Sequence, residues 1–273
     1  MLGFENIKDK EIIQNVLDTL DLQYESHKYY NDGASSRVIL LNDKYLIKQN
    51  DELVLKAEVE FLKLNNLDIF QDIVYVDPKY QYVVYTFIHG DIMKVVDAPK
   101  DTIQKLAEVC GKYKVYGKEG YGYLNEEIDT WKDFLISEIE ASSKNISEYI
   151  QSKDEVYEAA EILDKYLFEK KLIHGDFGTH NFVKVNGKLI GIIDPMPVIG
   201  DPLYDLLFAI VSNTDLLTSM EIEEIYTLTN EPREKVKALF KIVLYSRISR
   251  CLKYHPKDID TYMKYWNVLN NKS

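Results

Sequence analysis

Two cysteines in 273 residues, Cys110 and Cys251, leave no disulfide framework and no Cys/His set at zinc spacing. Both fall in segments of helical pattern and read as free buried thiols. Basic charge is also short: 33 Lys and Arg stand against 45 Asp and Glu, a net charge of −12. That balance excludes nucleic-acid binding through a broad basic face. No apolar run reaches the length of a bilayer-spanning helix, so no transmembrane helix and no membrane partner is expected. The opening MLGFENIKDKEII has no basic start, no apolar core and no small-residue cleavage site. It does not read as a signal peptide, and a cytoplasmic protein is expected. Internal repeats, low-complexity tracts and a G-x-G-x-x-G loop are absent as well. What remains is ordinary globular composition, 46% hydrophobic and 29% charged, with length for one large domain or two lobes.

The pattern changes along the chain. Residues 5–20 carry apolar positions at helical spacing. Strand-like runs follow at 22–30, 37–41 and 44–48, the last two joined by Asn42-Asp43. A second helical stretch covers 52–65, and two more strands, 72–76 and 81–88, flank Asp77-Pro78. From 101 onward the pattern is mainly helical, over 101–116, 129–142, 154–170, 202–212, 219–229, 231–253 and 258–270, with a hairpin inserted at 182–193. The expectation is an α+β chain of two lobes. Residues 1–88 form a small mixed-β lobe with one main helix, and residues 89–273 a larger, mainly helical lobe. Active sites commonly lie in the cleft of such a pair.

Residues 174–181 read HGDFGTHN, and thirteen positions later IIDP surrounds Asp194. Between them, Asn186-Gly187 separates FVKV from KLIGIID. An Asn-Gly pair between apolar-rich runs predicts a tight hairpin, because both turn residues accept positive φ. The hairpin brings Asn181, at the entrance of one strand, beside Asp194, at the exit of the other. Two oxygen ligands then converge, which suits Mg²⁺. An Asp five residues ahead of an Asn, with a later strand-borne Asp, is the set that kinases use to accept a hydroxyl proton and hold metal. Asp176 fills the role of base, and Asn181 and Asp194 fill the metal positions.

On these residues the chain resembles the aminoglycoside phosphotransferase family, within the wider protein-kinase-like fold. That family writes H-G-D-x-x-x-x-N where protein kinases write H-R-D, and it commonly follows the metal Asp with G-D-P-x-x-D-L. Here that segment is Gly200, Asp201, Pro202, Leu203, Tyr204, Asp205, Leu206. The resemblance covers roughly residues 30 to 210. One departure is the absence of a Gly after Asp194, so D-F-G-style regulation is not implied. The resemblance implies a kinase or phosphotransferase that takes ATP or GTP with Mg²⁺ and acts on the hydroxyl of a small molecule.

Lys48 ends the strand YLIK, and strand alternation sets it on the face opposite Ile47. It reads either as the phosphate-binding lysine or as a snorkelling edge lysine; a glycine-bearing turn before it and an acidic helix after it favour the first. Glu58 lies beside the apolar stripe of Leu55, Val59 and Leu62 and is the expected partner of Lys48, with Glu60 as the alternative. Gly33, Ser35 and Ser36 form the candidate phosphate loop, since glycine permits close backbone approach and the hydroxyls donate. Thr86, Phe87 and Ile88 resemble the hinge that reads a purine through its backbone. His174, Asp201 and Asp205 are supports: His174 orders the loop, and the two acids hold loop backbone or cap the helix at Pro202. Asp205 approaching the acceptor is kept as an alternative.

Twelve carboxylates against four lysines in 125–165 make this the most acidic stretch. By the resemblance it lies near the acceptor, where a negative wall would draw a cation; the bland reading is a solvated helix pair. The expected acceptor is therefore an aminoglycoside-like or other cationic hydroxylated compound. A housekeeping kinase for choline, an amino sugar or homoserine would share every motif, and a non-catalytic kinase-like binding protein is the rival from another class. Oligomeric state stays open, with a monomer favoured.

Overall fold

The computed structural model describes residues 7–30, 36–124, 126, 128–146 and 148–270. The chain divides into two compact units, residues 1–89 and 90–273.

In the first unit, α1 (Ile7–Thr19) precedes β1 (His27–Tyr30), β2 (Arg37–Leu41) and β3 (Tyr45–Gln49). Then come α2 (Glu52–Asn65), β4 (Ile73–Val76) and β5 (Val83–Thr86). The five strands form one antiparallel sheet in the order β1-β2-β3-β5-β4. Asn42 and Asp43 turn the β2–β3 hairpin with φ of 51° each, the left-handed conformation that Asn and Asp tolerate. The apolar stripe of α1 (Ile12, Ile13, Val16, Leu17) packs on Ile39, Leu41, Ile47, Tyr82 and Val84 of one sheet face. Asp9, fully buried at the start of α1, accepts from Arg37 Nη2 at 2.5 Å and so ties helix to sheet. Asp51 caps α2 by accepting from the Leu53 N–H.

The second unit opens with β6 (Asp91–Ile92), α3 (Pro99–Gly111), β7 (Gly122–Tyr123), α4 (Trp131–Ser142) and α5 (Asp154–Leu163). It continues through β8 (Lys171–Ile173), β9 (Phe182–Val185), β10 (Lys188–Ile192) and β11 (Val198–Gly200). The helices α6 (Pro202–Ser212), α7 (Thr214–Thr218), α8 (Ile222–Thr229), α9 (Arg233–Tyr254) and α10 (Ile259–Leu269) complete it. Two small antiparallel sheets, β10-β9-β6 and β7-β11-β8, carry the loops of interest. Helix α9 is buried on most of its circumference because α4, α5, α6 and α10 all pack on it.

Several expected elements are shorter. The strand expected over 22–30 pairs only from His27. The helix expected to reach 116 ends at Gly111; beyond it Tyr113 and Tyr116 turn inward to buried positions off the helical period. The helix expected over 154–170 stops at Leu163, after which Phe168 packs on Trp131 and Tyr121 while Leu167 is fully exposed. The stretch 219–229 is helical only from Ile222, preceded by the short α7. The two- and three-residue strands β6, β7, β8 and β11 are too short to carry an alternating pattern.

Candidate active site

Strand β8 delivers Leu172 and Ile173 into the core and releases the chain at His174. Gly175 has φ of 79°, and a Cβ there would stand 2.0 Å from the Met196 carbonyl oxygen, so only glycine fits. Asp205, fully buried on α6, accepts from the His174 N–H at 2.7 Å and the Gly175 N–H at 3.0 Å. Burial pushes its carboxyl up to about 7, against the two N–H donors that favour the anion. His174 Nε2–H donates to the Ile193 carbonyl at 3.0 Å. Burial lowers its imidazole to about 4, so it is neutral at physiological pH and serves as a strut linking loop to hairpin exit. Asp201 caps α6 by accepting from the Leu203 N–H at 3.0 Å and pairs with buried Lys235 at 2.7 Å.

Within the loop, Gly178 N–H donates to the Asp176 carbonyl and Asn181 N–H to the Gly178 carbonyl, at 2.9 and 2.8 Å. A single 3-10 turn, Thr179–Asn181, follows. It swings Asn181 back on Asp176: Asn181 Nδ2 donates to the Asp176 carbonyl at 2.9 Å and to Asp176 Oδ2 at 3.1 Å. His180 Nε2 lies 2.9 Å from that same oxygen. The second carboxylate oxygen, Oδ1, has no hydrogen-bond partner among the described residues. Burial works to raise the Asp176 carboxyl, but the hydrogen bond from His180, with the Arg250 guanidinium adding to it, outweighs burial and holds the carboxyl below its ordinary value. The result is an anionic carboxylate with one oxygen clamped and one open, which can take a proton.

The Asn186-Gly187 turn has φ of 50° and 75°, the pair of positive values its sequence implies. Phe182 pairs with Ile192, and Ile193 N–H donates to the Asn181 carbonyl at 2.9 Å. Asn181 and Asp194 therefore stand at adjacent ends of the hairpin. Asp194 is exposed and has φ of 59°, in the left-handed region that Asp tolerates and glycine adopts at lower cost. With Nδ2 of Asn181 held by Asp176, its Oδ1 is directed away from that carboxylate. One amide oxygen and one exposed carboxylate form a hard donor pair suited to Mg²⁺, whose remaining ligands are ordinarily water and phosphate. Among the described residues no group of three or more His, Cys, Asp or Glu could hold a metal by itself.

In the first unit, Lys48 Nζ lies 2.7 Å from Glu58 Oε2, with both side chains nearly inaccessible, at 6% and 1% exposure. Strand register explains the meeting: Ile47 faces α1 and Lys48 the opposite sheet face, toward Glu58 of α2. Glu60 is part-exposed on the same helix, and it is Glu58 that meets the lysine. Ser36 Oγ accepts from Asn50 Nδ2 at 2.9 Å and keeps its own proton to donate. Gly33 and Ser35 lie outside the described residues. The hinge expectation changes in detail. Thr86 N–H already donates to the Asp72 carbonyl and Phe87 N–H to the Lys44 carbonyl, at 2.9 and 2.8 Å. Those two N–H groups are closed to a ligand, whereas the Ile88 N–H has no such bond.

The acid-rich stretch does not stand as one wall. Glu161 and Asp164 surround Lys132, and Glu140 pairs with Lys153. Glu155 and Glu158 line a groove of about 790 Å³ with α8, α9 and α10. Glu126 and Glu138 instead lie in the electrostatic neighbourhood of Tyr123, together with Asp176 and Arg250. Trp131 and Tyr113 are buried, packed with Phe168 and Phe177 respectively, and Tyr121 is half-buried against Phe168. His180, Glu138 and Arg250 escaped the sequence reading. His180 sits in a loop without periodicity, its one signal being a place four residues after Asp176. Glu138 and Arg250 come together only through the packing of α4 on α9.

No protein-family model matches the chain, and no curated protein matches it. Solved structures do. A GDP and kanamycin complex of APH(2'')-IIIa is 17% identical over 96% of this chain and 99% of that one, with a TM-score of 0.60. ADP-bound aminoglycoside phosphotransferase APH(2'')-Ib is 18% identical over 96% of this chain and 99% of that chain, at 0.59. Aminoglycoside phosphotransferase APH(4)-Ia, at 14% identity, covers 97% of this chain and 99% of its own, at 0.64. The fold is therefore that of the aminoglycoside phosphotransferases, the bilobal protein-kinase-like α+β architecture. No helix among the described residues is long and apolar enough to cross a membrane.

Proposed function

We propose that this protein is a phosphotransferase that moves the γ-phosphate of ATP or GTP to a hydroxyl of a small molecule carrying positive charge, of the aminoglycoside type. The observation that carries the reading is the half-clamped Asp176. Its Oδ2 is held by His180 and Asn181 at 2.9 and 3.1 Å, which aims Oδ1 outward as a fixed base. In this reading Oδ1 orients the acceptor hydroxyl and takes its proton as the oxygen bonds to phosphorus and the nucleoside diphosphate departs. Asn181 Oδ1 and the Asp194 carboxylate would hold Mg²⁺, which supplies charge neutralisation on the phosphates when bound. Lys48, fixed by Glu58, holds nucleotide phosphates, with Gly33, Ser35 and Ser36 as the phosphate loop. Ile88 N–H supplies the backbone contact to the purine. Residues 1–88 are then the nucleotide-binding lobe and residues 89–273 the catalytic and acceptor lobe.

Structures of the same fold were solved with GDP, with ADP, and with ATP and streptomycin. This supports a purine nucleotide as co-substrate and an amino-sugar compound as acceptor class. In this chain Glu126 and Glu138 are the carboxylates placed to meet a positive acceptor. The housekeeping-kinase reading differs only in the acceptor. The test is a screen of aminoglycosides, amino sugars and amino alcohols with Mg²⁺ and each nucleotide. Asp176-dependent phosphorylation of one class supports the reading; nucleotide binding without transfer to any hydroxyl would return the chain to the non-catalytic class.

A further inference from the structure

Arg250 is a cation of the second unit that the packing of the described residues does not account for. Three residues earlier on α9, Arg247 is fully anchored: its Nε donates to Tyr262 Oη at 3.0 Å, and its guanidinium lies over the Tyr262 ring. Arg250 has no such anchor. Its guanidinium lies over the Phe208 ring, 5.1 Å from the centroid, and no hydrogen-bond acceptor engages it among the described residues. Its ionic neighbour is Glu138, and the approach is 4.0 Å, too long for a hydrogen bond. Phe208 also borders the loop that carries the base, since its Cε1 would lie 3.3 Å from a Cβ at Gly178. Arg250 is thus held by stacking, 40% exposed, near enough to Asp176 for its charge to act on that carboxyl, with its donors uncommitted among the described residues.

A structural counter-ion would close on Glu138 in a two-pronged pair, the geometry that guanidinium and carboxylate adopt when they meet. Here the two charges face one another and stay apart. Tyr123 Oη, at 3.4 Å from Glu138 Oε1, does not fill the gap either. A stacked guanidinium with open donors is preorganised for a planar oxyanion. Glu138 beside it, only 13% exposed, is a carboxylate that burial disfavours and that a cation would relieve.

We infer that Arg250 is a specificity-determining residue that receives a carboxylate-type group of the acceptor, while Glu138 receives its ammonium, so that the acceptor is a hydroxylated zwitterion. The inference rests on the phosphotransferase reading and amends its acceptor, since an aminoglycoside carries amines without a carboxylate. Arg250 acts in recognition; its role is separate from that of Asp176 in accepting the proton.

The test uses acceptor pairs in which one member adds a carboxylate-bearing group: ethanolamine against serine, which adds the carboxylate alone, and glucosamine against muramic acid, which adds a carboxyethyl ether at the 3-hydroxyl. Wild type should favour the carboxylate-bearing member of a pair. Arg250→Gln should raise KM for that member about 10- to 100-fold, the range for losing a charge-assisted hydrogen bond, with a much smaller change in kcat. The carboxylate-free member should lose far less, and Arg250→Lys should restore part of the preference. Melting temperatures of both variants check that the fold is kept. Where none of the four is turned over, calorimetry decides: muramic acid should bind wild type more tightly than glucosamine does, and Arg250→Gln should erase that difference. Equal handling of both members by wild type, or equal losses for both in Arg250→Gln, would overturn the inference. Asp176→Asn run in parallel separates the two claims: turnover surviving in that variant removes the phosphotransferase reading itself, whatever Arg250 does.

Discussion

His180 Nε2 stands 2.9 Å from Asp176 Oδ2, four residues further along the loop, and so holds the proposed base in a way that no sequence motif announced. With Asn181 on the same oxygen at 3.1 Å, the carboxylate cannot rotate freely, and the unoccupied oxygen keeps one direction. Asp176→Asn removes the proton acceptor and keeps the shape. The expected fall in kcat is about 10²- to 10⁴-fold with nucleotide affinity retained, measured by steady-state kinetics and nucleotide titration. His180→Ala frees the oxygen and should cost about tenfold in kcat with acceptor KM little moved. A His180→Ala enzyme at full kcat would remove His180 from the positioning of the base.

Lys48 and Glu58 form a nearly inaccessible ion pair, and breaking it takes a hydrogen-bonded counter-charge from a buried group. Glu58→Ala should destabilise the protein by about 3–5 kcal/mol in chemical denaturation. Glu60→Ala, on a part-exposed position of the same helix, should change stability by less than about 0.5 kcal/mol. Lys48→Met, which keeps the apolar stem, should lower affinity for nucleoside triphosphate more than for the nucleoside alone. Equal affinities would separate Lys48 from the phosphates.

This small-lobe pair was legible in the sequence because strand alternation and helix periodicity each assign a face. The hairpin at Asn186-Gly187 was legible for a related reason: its turn residues demand positive φ, and both have it. Asp205 was legible as an acid that holds loop backbone or caps the helix, but the two N–H groups it takes, those of His174 and Gly175, were not, since a separation of 31 positions hides the contact. Glu138 and Arg250 were not legible at all. Their meeting depends on how α4 crosses α9, which no local pattern encodes. The hinge expectation was coarser than the structure, because a strand pattern does not say which N–H groups the neighbouring backbone has already taken, as it has for Thr86 and Phe87.

Asp194, exposed and at φ of 59°, should contribute to ligand binding more than to stability. Asp194→Gly lowers the cost of the left-handed backbone and removes the carboxylate together. Its melting temperature without ligand should equal or exceed that of wild type, while the added stabilisation by Mg²⁺ with nucleotide should vanish. An undiminished Mg²⁺-nucleotide shift would contradict the metal assignment.

His174 is buried with its imidazole lowered to about 4 from an ordinary 6.5. The unfolded chain therefore takes up a proton there before the folded protein does. The stability it contributes is fully present above pH 6.5 and is lost as pH falls toward 4, by about 3 kcal/mol at most. His174→Asn lacks this titration, so the stability gap between wild type and variant, followed by denaturation at pH 7.5, 6 and 5, should shift against wild type as pH falls. A gap independent of pH would mean that His174 takes up its proton in the folded protein as readily as in the unfolded chain.

The central claim is transfer of phosphate to a hydroxyl with Asp176 as base. Its most direct test is mass spectrometry of an aminoglycoside or amino-sugar acceptor after incubation with Mg²⁺ and ATP or GTP, using wild type and Asp176→Asn side by side. The account predicts an acceptor carrying one phosphate on a hydroxyl with wild type, formed in step with nucleoside diphosphate, and a yield lower by about two orders of magnitude or more with Asp176→Asn. Equal yields from the two proteins, or nucleotide hydrolysis with every acceptor unmodified, would contradict it.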